Sequence, residues 1–255
     1  MMTEEHSCAV ILLNWRRPAN LAQIVGQVIQ ALPQAGVFLI DQAETQNRVA
    51  GSADIPWHAI WYRAQDNKGP GVRIDLAAEL SYDHFLCIDD DVFLNPAQIR
   101  GLLCELHRDP MRAHGIAGQM AHVCDDTIYF SGPKTGSHQV SILNWVYAFT
   151  RQQAREASNL ASMLGFNCNA EILPGSDIVL SCAGQAAPLI HDLGQVRLCP
   201  TCDDPNIAVW RQKEFYQERG QLISRLWRLR RFHASIVEPA EIGKLYPPRT
   251  PMGPG

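Results

Sequence analysis

The sequence predicts an α/β fold: a mixed, mainly parallel central sheet flanked by helices, in a single compact body. Three observations carry that expectation. Short apolar runs of strand length alternate with segments of helical periodicity between residues 8 and 106, which is the pattern of βαβ units. Acidic residues stand directly after two of the runs, Asp41 after Val37 to Ile40 and Asp89-Asp90-Asp91 after Phe85 to Ile88. The composition, 46% hydrophobic and 19% charged over 255 residues, is that of an ordinary globular chain.

The elements follow in order. Cys8 to Leu13 is a buried strand, and Pro18-Ala19-Asn20 opens a helix with apolar residues at Leu21, Ile24, Val25, Val28 and Ile29. Gly36 precedes the strand Val37 to Ile40, and His58 to Tyr62 forms a third. Pro70-Gly71 begins a helix that runs to Leu80, and Phe85 to Ile88 is the fourth strand. Asn95-Pro96 reads as a helix cap with proline at the first helical position, leading into Ile99, Leu102, Leu103 and Leu106. After Gly115 the pattern becomes more alternating. Long strands are expected over His122 to Ser131 and Val140 to Thr150, then helices over Arg151 to Leu164, Gly175 to Ala183 and Ile207 to Phe232. Residues 1–112 and 113–246 are expected to be two halves of one body, with the Pro/Gly-rich 247–255 as a flexible tail.

The net charge of −4 gives no basic footprint, so no nucleic-acid partner is expected. No apolar stretch is long enough for a transmembrane helix. The run Cys8 to Leu13 ends at Asn14-Trp15-Arg16-Arg17 and is too short for a signal peptide. The eight cysteines are scattered, several inside apolar runs, as expected of reduced thiols in a cytoplasmic protein. Cys199-Pro200-Thr201-Cys202 is a lone Cys-x-x-Cys, too little for a zinc site.

The chemistry concentrates at Asp89-Asp90-Asp91. Three carboxylates after a buried strand stand at its carboxyl end, where open α/β sheets bind ligands. Side chains alternate on an extended chain, so Asp89 and Asp91 face one way and Asp90 the other. Two convergent carboxylates suit a hard divalent ion that leaves its other positions to water and phosphate oxygens. The competing reading is a solvated acidic loop with a lysine or arginine as counter-ion. Upstream, Asp66-Asn67-Lys68-Gly69-Pro70-Gly71-Val72-Arg73 is a glycine-rich turn opening a helix, suited to a phosphate.

The succession Val10 to Pro18, Asp41, Asn67-Lys68-Gly69, Arg73 and Asp89-Asp90-Asp91 resembles the nucleotide-binding half of a GT-A (Rossmann-like) glycosyltransferase. Asn144 to Phe149 and Leu173-Pro174-Gly175-Ser176-Asp177-Ile178 are similar to the acceptor half of the exostosin-like family (glycosyltransferase family 64) and of bacterial family 2 enzymes. The resemblance implies a UDP-sugar donor, an unidentified acceptor and Mn²⁺ or Mg²⁺ held by an Asp-x-Asp motif. Position by position, it implies that Leu13, Asn14, Arg16, Arg17, Pro18, Asp41, Asn67, Lys68, Arg73, Asp89 and Asp90 line the nucleotide site. Asp91, with Asp89, holds the metal; Asp177 is the catalytic carboxylate, and Arg219 and His191 are further candidates for diphosphate or metal contact. The family's usual Glu-Asp is Ser176-Asp177 here.

The implied reaction is transfer of the sugar to an acceptor hydroxyl, inverting or retaining. Two alternatives stand beside it. A nucleotidyltransferase shares the architecture, but Asn14-Trp15-Arg16-Arg17-Pro18 lacks that class's glycine-rich signature. A non-catalytic nucleotide-sugar binder would keep the acidic site without transfer. The last helix carries Arg219, Arg225, Arg228 and Arg231 beside Leu222, Leu226, Leu229 and Phe232. Such a helix either packs on the body with its arginines solvated or makes weak peripheral contact with acidic lipid.

Overall fold

The computed structural model describes residues 7–42, 59–63, 68–125, 127–132, 134–202, 204, 208–211, 214–232 and 235–236. The chain begins with β1 (Cys8–Asn14), α1 (Pro18–Ala31), β2 (Gly36–Asp41), β3 (Ala59–Arg63), α2 (Val72–Glu79), β4 (His84–Ile88), β5 (Val92–Phe93) and α3 (Pro96–Arg108). It continues through β6 (His114–Gly115), β7 (Ala117–Gln119), β8 (Ala121–Cys124), β9 (Thr127–Phe130), β10 (His138–Gln139), β11 (Ile142–Asn144) and β12 (Val146–Thr150). The last elements are α4 (Arg151–Met163), α5 (Ser176–Ser181), β13 (Leu189–Ile190), β14 (Arg197–Leu198), α6 (Phe215–Arg228) and β15 (Ser235–Ile236).

The central sheet has the strand order β10-β13-β6-β12-β4-β1-β2-β3. The block β4-β1-β2-β3 is parallel, and β12 enters antiparallel between β4 and β6. Register aligns the strand ends: Leu12 lies opposite both Leu39 and Ile88, and Asn14 lies opposite Asp41. Asn14, Asp41 and Asp89 therefore share the carboxyl edge of the parallel block. The sheet is continuous across residue 112, since β6, β12, β13 and β10 extend the sheet that β1 to β4 begin.

Alternation along the strands sorts the core into two layers. Val10, Leu12, Leu39, Leu86 and Ile88 pack with Leu21, Val25 and Val28 of α1 and Ile99, Leu102 and Leu106 of α3. Ile11, Ile40, Phe85 and Cys87 face Ile74 and Ala77 of α2, Ala154, Ala157 and Leu160 of α4, and Ile223 of α6. Each fully buried Val, Leu, Ile or Phe among them contributes roughly 1.5–3 kcal/mol by its burial. The expected cap of α3 is complete: Asn95 Oδ1 accepts from the Gln98 N–H and Gln98 Oε1 from the Asn95 N–H, each at 2.9 Å.

Two expected long strands are broken. The segment 122–131 folds into the β8–β9 hairpin, turning where Asp125 adopts φ 46°, a left-handed conformation that Asp tolerates. The segment 140–150 divides into β11 and β12 at Trp145, whose φ is 67°. The last helix is shorter than the apolar spacing suggested, with a 3₁₀ turn over Val209–Arg211 before α6. Of its arginines, Arg219 is buried against Asp177, whereas Arg225 and Arg228 are exposed as expected, Arg225 also donating to the Leu164 carbonyl; Arg231, beyond the helix, pairs with Glu156. His58, Asn67 and the 247–255 tail lie outside the described residues. Among the described residues no helix is long and apolar enough to cross a membrane.

Candidate functional site

The three aspartates after β4 have three different environments. Asp89 sits at the sheet edge, its N–H donating to the Trp145 carbonyl at 2.9 Å. Its Oδ1 accepts from Arg73 Nη2 at 2.7 Å, while Arg73 Nη1 donates to the Ile88 carbonyl at 3.2 Å. Arg73 is buried, so α2 delivers a guanidinium to the end of β4 from beneath. Burial raises the Asp89 carboxyl above its ordinary value against the pull of Arg73.

Asp90 turns the other way and binds the start of α1. Its Oδ1 accepts from Arg17 Nη1 at 2.8 Å, its Oδ2 from the Trp15 N–H at 3.1 Å, and its carbonyl from Asn20 Nδ2 at 2.7 Å. Through these bonds to Trp15, Arg17 and Asn20 the carboxylate stands close to the positive end of α1, whose N-cap Arg17 makes no side-chain cap. Asp90 is thus used inside the protein, and Arg17 with it.

Asp91 carries the unsatisfied charge. Its Oδ1 is buried without a hydrogen-bond partner, and its Oδ2 lies 3.6 Å from Arg17 Nη2. Burial, with Asp89 beside it, pushes its carboxyl up to about 7, against the opposing effect of Arg17. The Cys199 N–H donates to the Asp91 carbonyl at 2.8 Å, because β14 pairs antiparallel with β5 directly after the aspartates. The same turn places Thr201 on Arg17, whose Nε reaches Thr201 Oγ1 at 3.2 Å and Nη2 the Thr201 carbonyl at 3.0 Å. The Cys-x-x-Cys segment thereby braces the aspartate loop. Nothing in its sequence signals this, since its partners lie more than a hundred residues earlier.

The other expected nucleotide-site residues gather along the same edge. Asn14 Nδ2 donates to Asp41 Oδ1 at 2.8 Å, with both side chains fully buried. Leu13, Arg16, Arg17 and Pro18 line the turn from β1 into α1, with Arg16 over the Trp15 ring at 4.9 Å. Gln42 joins β2 to the glycine-rich turn: its Nε2 donates to the Gly69 carbonyl at 3.0 Å, and the Lys68 N–H donates to its Oε1. Gly69 adopts φ 66°, the left-handed region that favours glycine. Asn67 lies outside the described residues.

Across the other face stands Asp177, in the first turn of α5, with both carboxylate oxygens held by Arg219. Arg219 is 3% exposed, and its Nε has no partner. Tyr147 of β12 links the two groups: the Arg73 guanidinium lies 5.7 Å from its ring, and burial with Asp89 and Asp177 nearby raises its hydroxyl well above the ordinary phenol value. Asp89, Arg73, Tyr147, Asp177 and Arg219 form one polar cluster. Tyr147 is the member that sequence reasoning did not single out, because a strand tyrosine is ordinarily core.

His191 keeps different company. Its Nε2 is 2.9 Å from His114 Nδ1 and its Nδ1 4.0 Å from Glu105 of α3, with the two imidazoles stacked. Burial lowers both imidazoles below their ordinary value. The partners of His191 are thus His114 and Glu105.

Two carboxylates with one buried, unpartnered oxygen fit a hard divalent ion completed by water and phosphate oxygens. Among the described residues no group of three or more His, Cys, Asp or Glu could hold a metal by itself. That donor set does not fit a structural zinc site, which takes four protein ligands.

Neither a family model nor a curated protein matches the sequence. In structure the chain is similar to GalNAc-T7, solved with UDP, GalNAc and Mn²⁺, at TM-score 0.58 and 12% identity, over 87% of this chain and 48% of that one. It spans about half the length of that protein. A CMP:2-keto-3-deoxy-manno-octonic acid synthetase complexed with CTP is more distant, at TM-score 0.42 and 12% identity over 60% of this chain and 78% of that one. The first likeness shows the fold, a GT-A-type mixed sheet flanked by helices.

Proposed function

We propose that the protein is a metal-dependent glycosyltransferase that takes its sugar from a UDP-sugar. The observation that carries this reading is Asp91: a buried carboxylate oxygen without a partner, beside Asp89, at the carboxyl edge of a GT-A-type sheet. Asp89 and Asp91 would hold Mn²⁺ or Mg²⁺. When bound, the ion neutralises the charge that builds on the departing nucleoside diphosphate.

The chain's own residues do the rest. The buried Asn14–Asp41 pair and the turn Leu13 to Pro18 form one wall of a nucleotide site, and Lys68 with the Gly69 turn the other. Arg73 fixes Asp89, while Arg17 and Asp90 fix the loop that presents Asp91. Asp177 is the candidate to accept the acceptor hydroxyl proton, and Arg219 orients it.

One observation favours a second reading, a nucleotide-sugar binder without transfer. Both oxygens of Asp177 are engaged by Arg219, which leaves a general base less available. Calorimetry with UDP, GDP, ADP and CDP, with and without Mn²⁺, tests the shared premise. UDP binding that requires Mn²⁺ and is lost in Asp91→Asn supports both readings, and absence of any nucleotide binding overturns them. Release of UDP from UDP-sugars over a panel of acceptors then separates enzyme from binder.

A further inference from the structure

A cavity of about 490 Å³ is lined by Trp145, whose carbonyl accepts the Asp89 N–H, and the proposed nucleotide site makes no use of it. Its size falls within the roughly 300–1,000 Å³ of small-molecule sites. Trp145, His191, Asp192, Gln195, Thr135 and Leu198 line it. Among the described lining residues there is no lysine or arginine, and the Asp192 carboxylate in the lining disfavours an anion. An indole offers an electron-rich face to the polarised C–H groups of a sugar ring. The imidazole, carboxylate, amide and hydroxyl around it offer both donors and acceptors for hydroxyl groups.

Two features tie the cavity to the aspartate loop. Trp145 adopts φ 67°, a conformation that bulky residues rarely hold and that persists only where the surroundings over-determine it. Its carbonyl accepts the Asp89 N–H at 2.9 Å, so one hydrogen bond joins the backbone under the indole to the aspartate. Leu198, also in the lining, belongs to β14, which pairs with the strand directly after Asp91. In the sheet β12, β6 and β13 continue from β4 away from β1 and β2. Trp145 directly precedes β12 and His191 directly follows β13, so the cavity lies along that continuation of the sheet.

We propose that the cavity binds a neutral saccharide ring packed on the indole of Trp145. This rests on the proposed function only for the source of the ring, which is either the sugar of the donor or a saccharide acceptor. Hydroxyl-rich, uncharged rings are the shared chemistry, and Trp145 is the specificity-determining contact.

The test uses the whole chain and three variants, Trp145→Gly, Trp145→Phe and Asp192→Asn. Glycine suits the positive φ and keeps the backbone bond to Asp89, so Trp145→Gly removes the indole without opposing the local fold. Saturation-transfer NMR measures binding of lactose, cellobiose and N,N′-diacetylchitobiose in the presence of UDP and Mn²⁺. Calorimetry measures UDP against UDP-glucose, UDP-galactose and UDP-N-acetylglucosamine. The expected result is a loss of about tenfold or more in saccharide affinity in Trp145→Gly, with partial retention in Trp145→Phe and UDP affinity within about twofold of wild type. Asp192→Asn is expected to alter which saccharide is preferred.

If only the free saccharide is lost, the ring is the acceptor's. If UDP-sugar affinity falls to that of UDP, the ring is the donor's. Either result supports the cavity. Saccharide and UDP-sugar affinities unchanged in Trp145→Gly, in a protein that binds UDP, overturn it and leave the proposed function standing. Saccharide binding that depends on Trp145 in a protein that binds no nucleotide keeps the cavity and overturns the nucleotide reading, and binding of neither overturns both.

Discussion

Arg219 grips both carboxylate oxygens of Asp177, with Nη1 and Nη2 each 2.8 Å from their acceptors. The guanidinium comes from α6 and the carboxylate from α5, and side-chain exposures of 4% and 16% place the pair largely out of water. It is a tertiary clamp between the last helix and the candidate catalytic residue.

Removing one partner leaves the other charge in a poorly solvated site. Arg219→Ala is expected to cost about 3 kcal/mol, and Arg219→Met with Asp177→Leu to recover much of it. Urea denaturation of the single and double variants checks this. A double variant no more stable than Arg219→Ala would refute the clamp as the cause.

Asp90 and Asp91 are adjacent and should respond in opposite ways. Asp90→Ala removes the acceptor of Arg17 and of the Trp15 N–H, and is expected to destabilise by about 2–3 kcal/mol. Asp91→Asn removes a charge that no hydrogen bond satisfies at Oδ1. It should leave the melting temperature equal or higher while abolishing Mn²⁺-dependent UDP binding. Thermal melts beside calorimetry separate the two.

The pH dependence has two opposed parts. Asp91 holds its proton up to about 7 in the fold, against an ordinary 3.8. Between those values the folded chain carries more protons than the unfolded one, so stability falls as pH rises. Asp91→Asn removes that fall. The His114–His191 pair is lowered by burial, so its stabilisation is present above the ordinary histidine value near 6.5 and is lost on acidification. His191→Gln should blunt the acid loss. Melting temperature against pH for wild type and both variants gives the slopes, and identical curves would contradict both assignments.

The start of α2 is set by close contact. A Cβ on Gly71 would stand 2.1 Å from the Asn169 carbonyl oxygen, where Asp75 accepts from the Asn169 and Ala170 N–H groups. Gly71→Ala is expected to cost about 1–3 kcal/mol by forcing the two segments apart. Asn95→Ala should cost about 1 kcal/mol through loss of the α3 cap. Denaturant midpoints order the two, and a neutral Gly71→Ala would show that the 169–171 segment yields.

Much of the fold was legible because its signals are local. The apolar runs ending in Asp41 and Asp89, the periodicity of α1 and the Asn95-Pro96 cap each act within a few residues, and the structure has each of them in place. The breaks were less legible. Alternation over 140–150 says strand throughout, whereas the folded chain breaks the strand at Trp145, whose φ is 67°. The same limit applies to the site. Alternation alone separates Asp89 and Asp91 from Asp90, but it says nothing of which cation meets each.

By itself, then, the sequence determined the parallel α/β core and the concentration of carboxylates at a strand's carboxyl end, since both follow from side-chain period and chain order. Tertiary structure alone decided that Arg73 would meet Asp89 and Arg17 meet Asp90. It also decided that Thr201 would brace Arg17, that Arg219 would hold Asp177, and that Asp91 would keep an oxygen without a partner. Those pairings join residues 16 to 184 positions apart. Their energies depend on burial and on distances of a few ångströms, which only the folded chain defines.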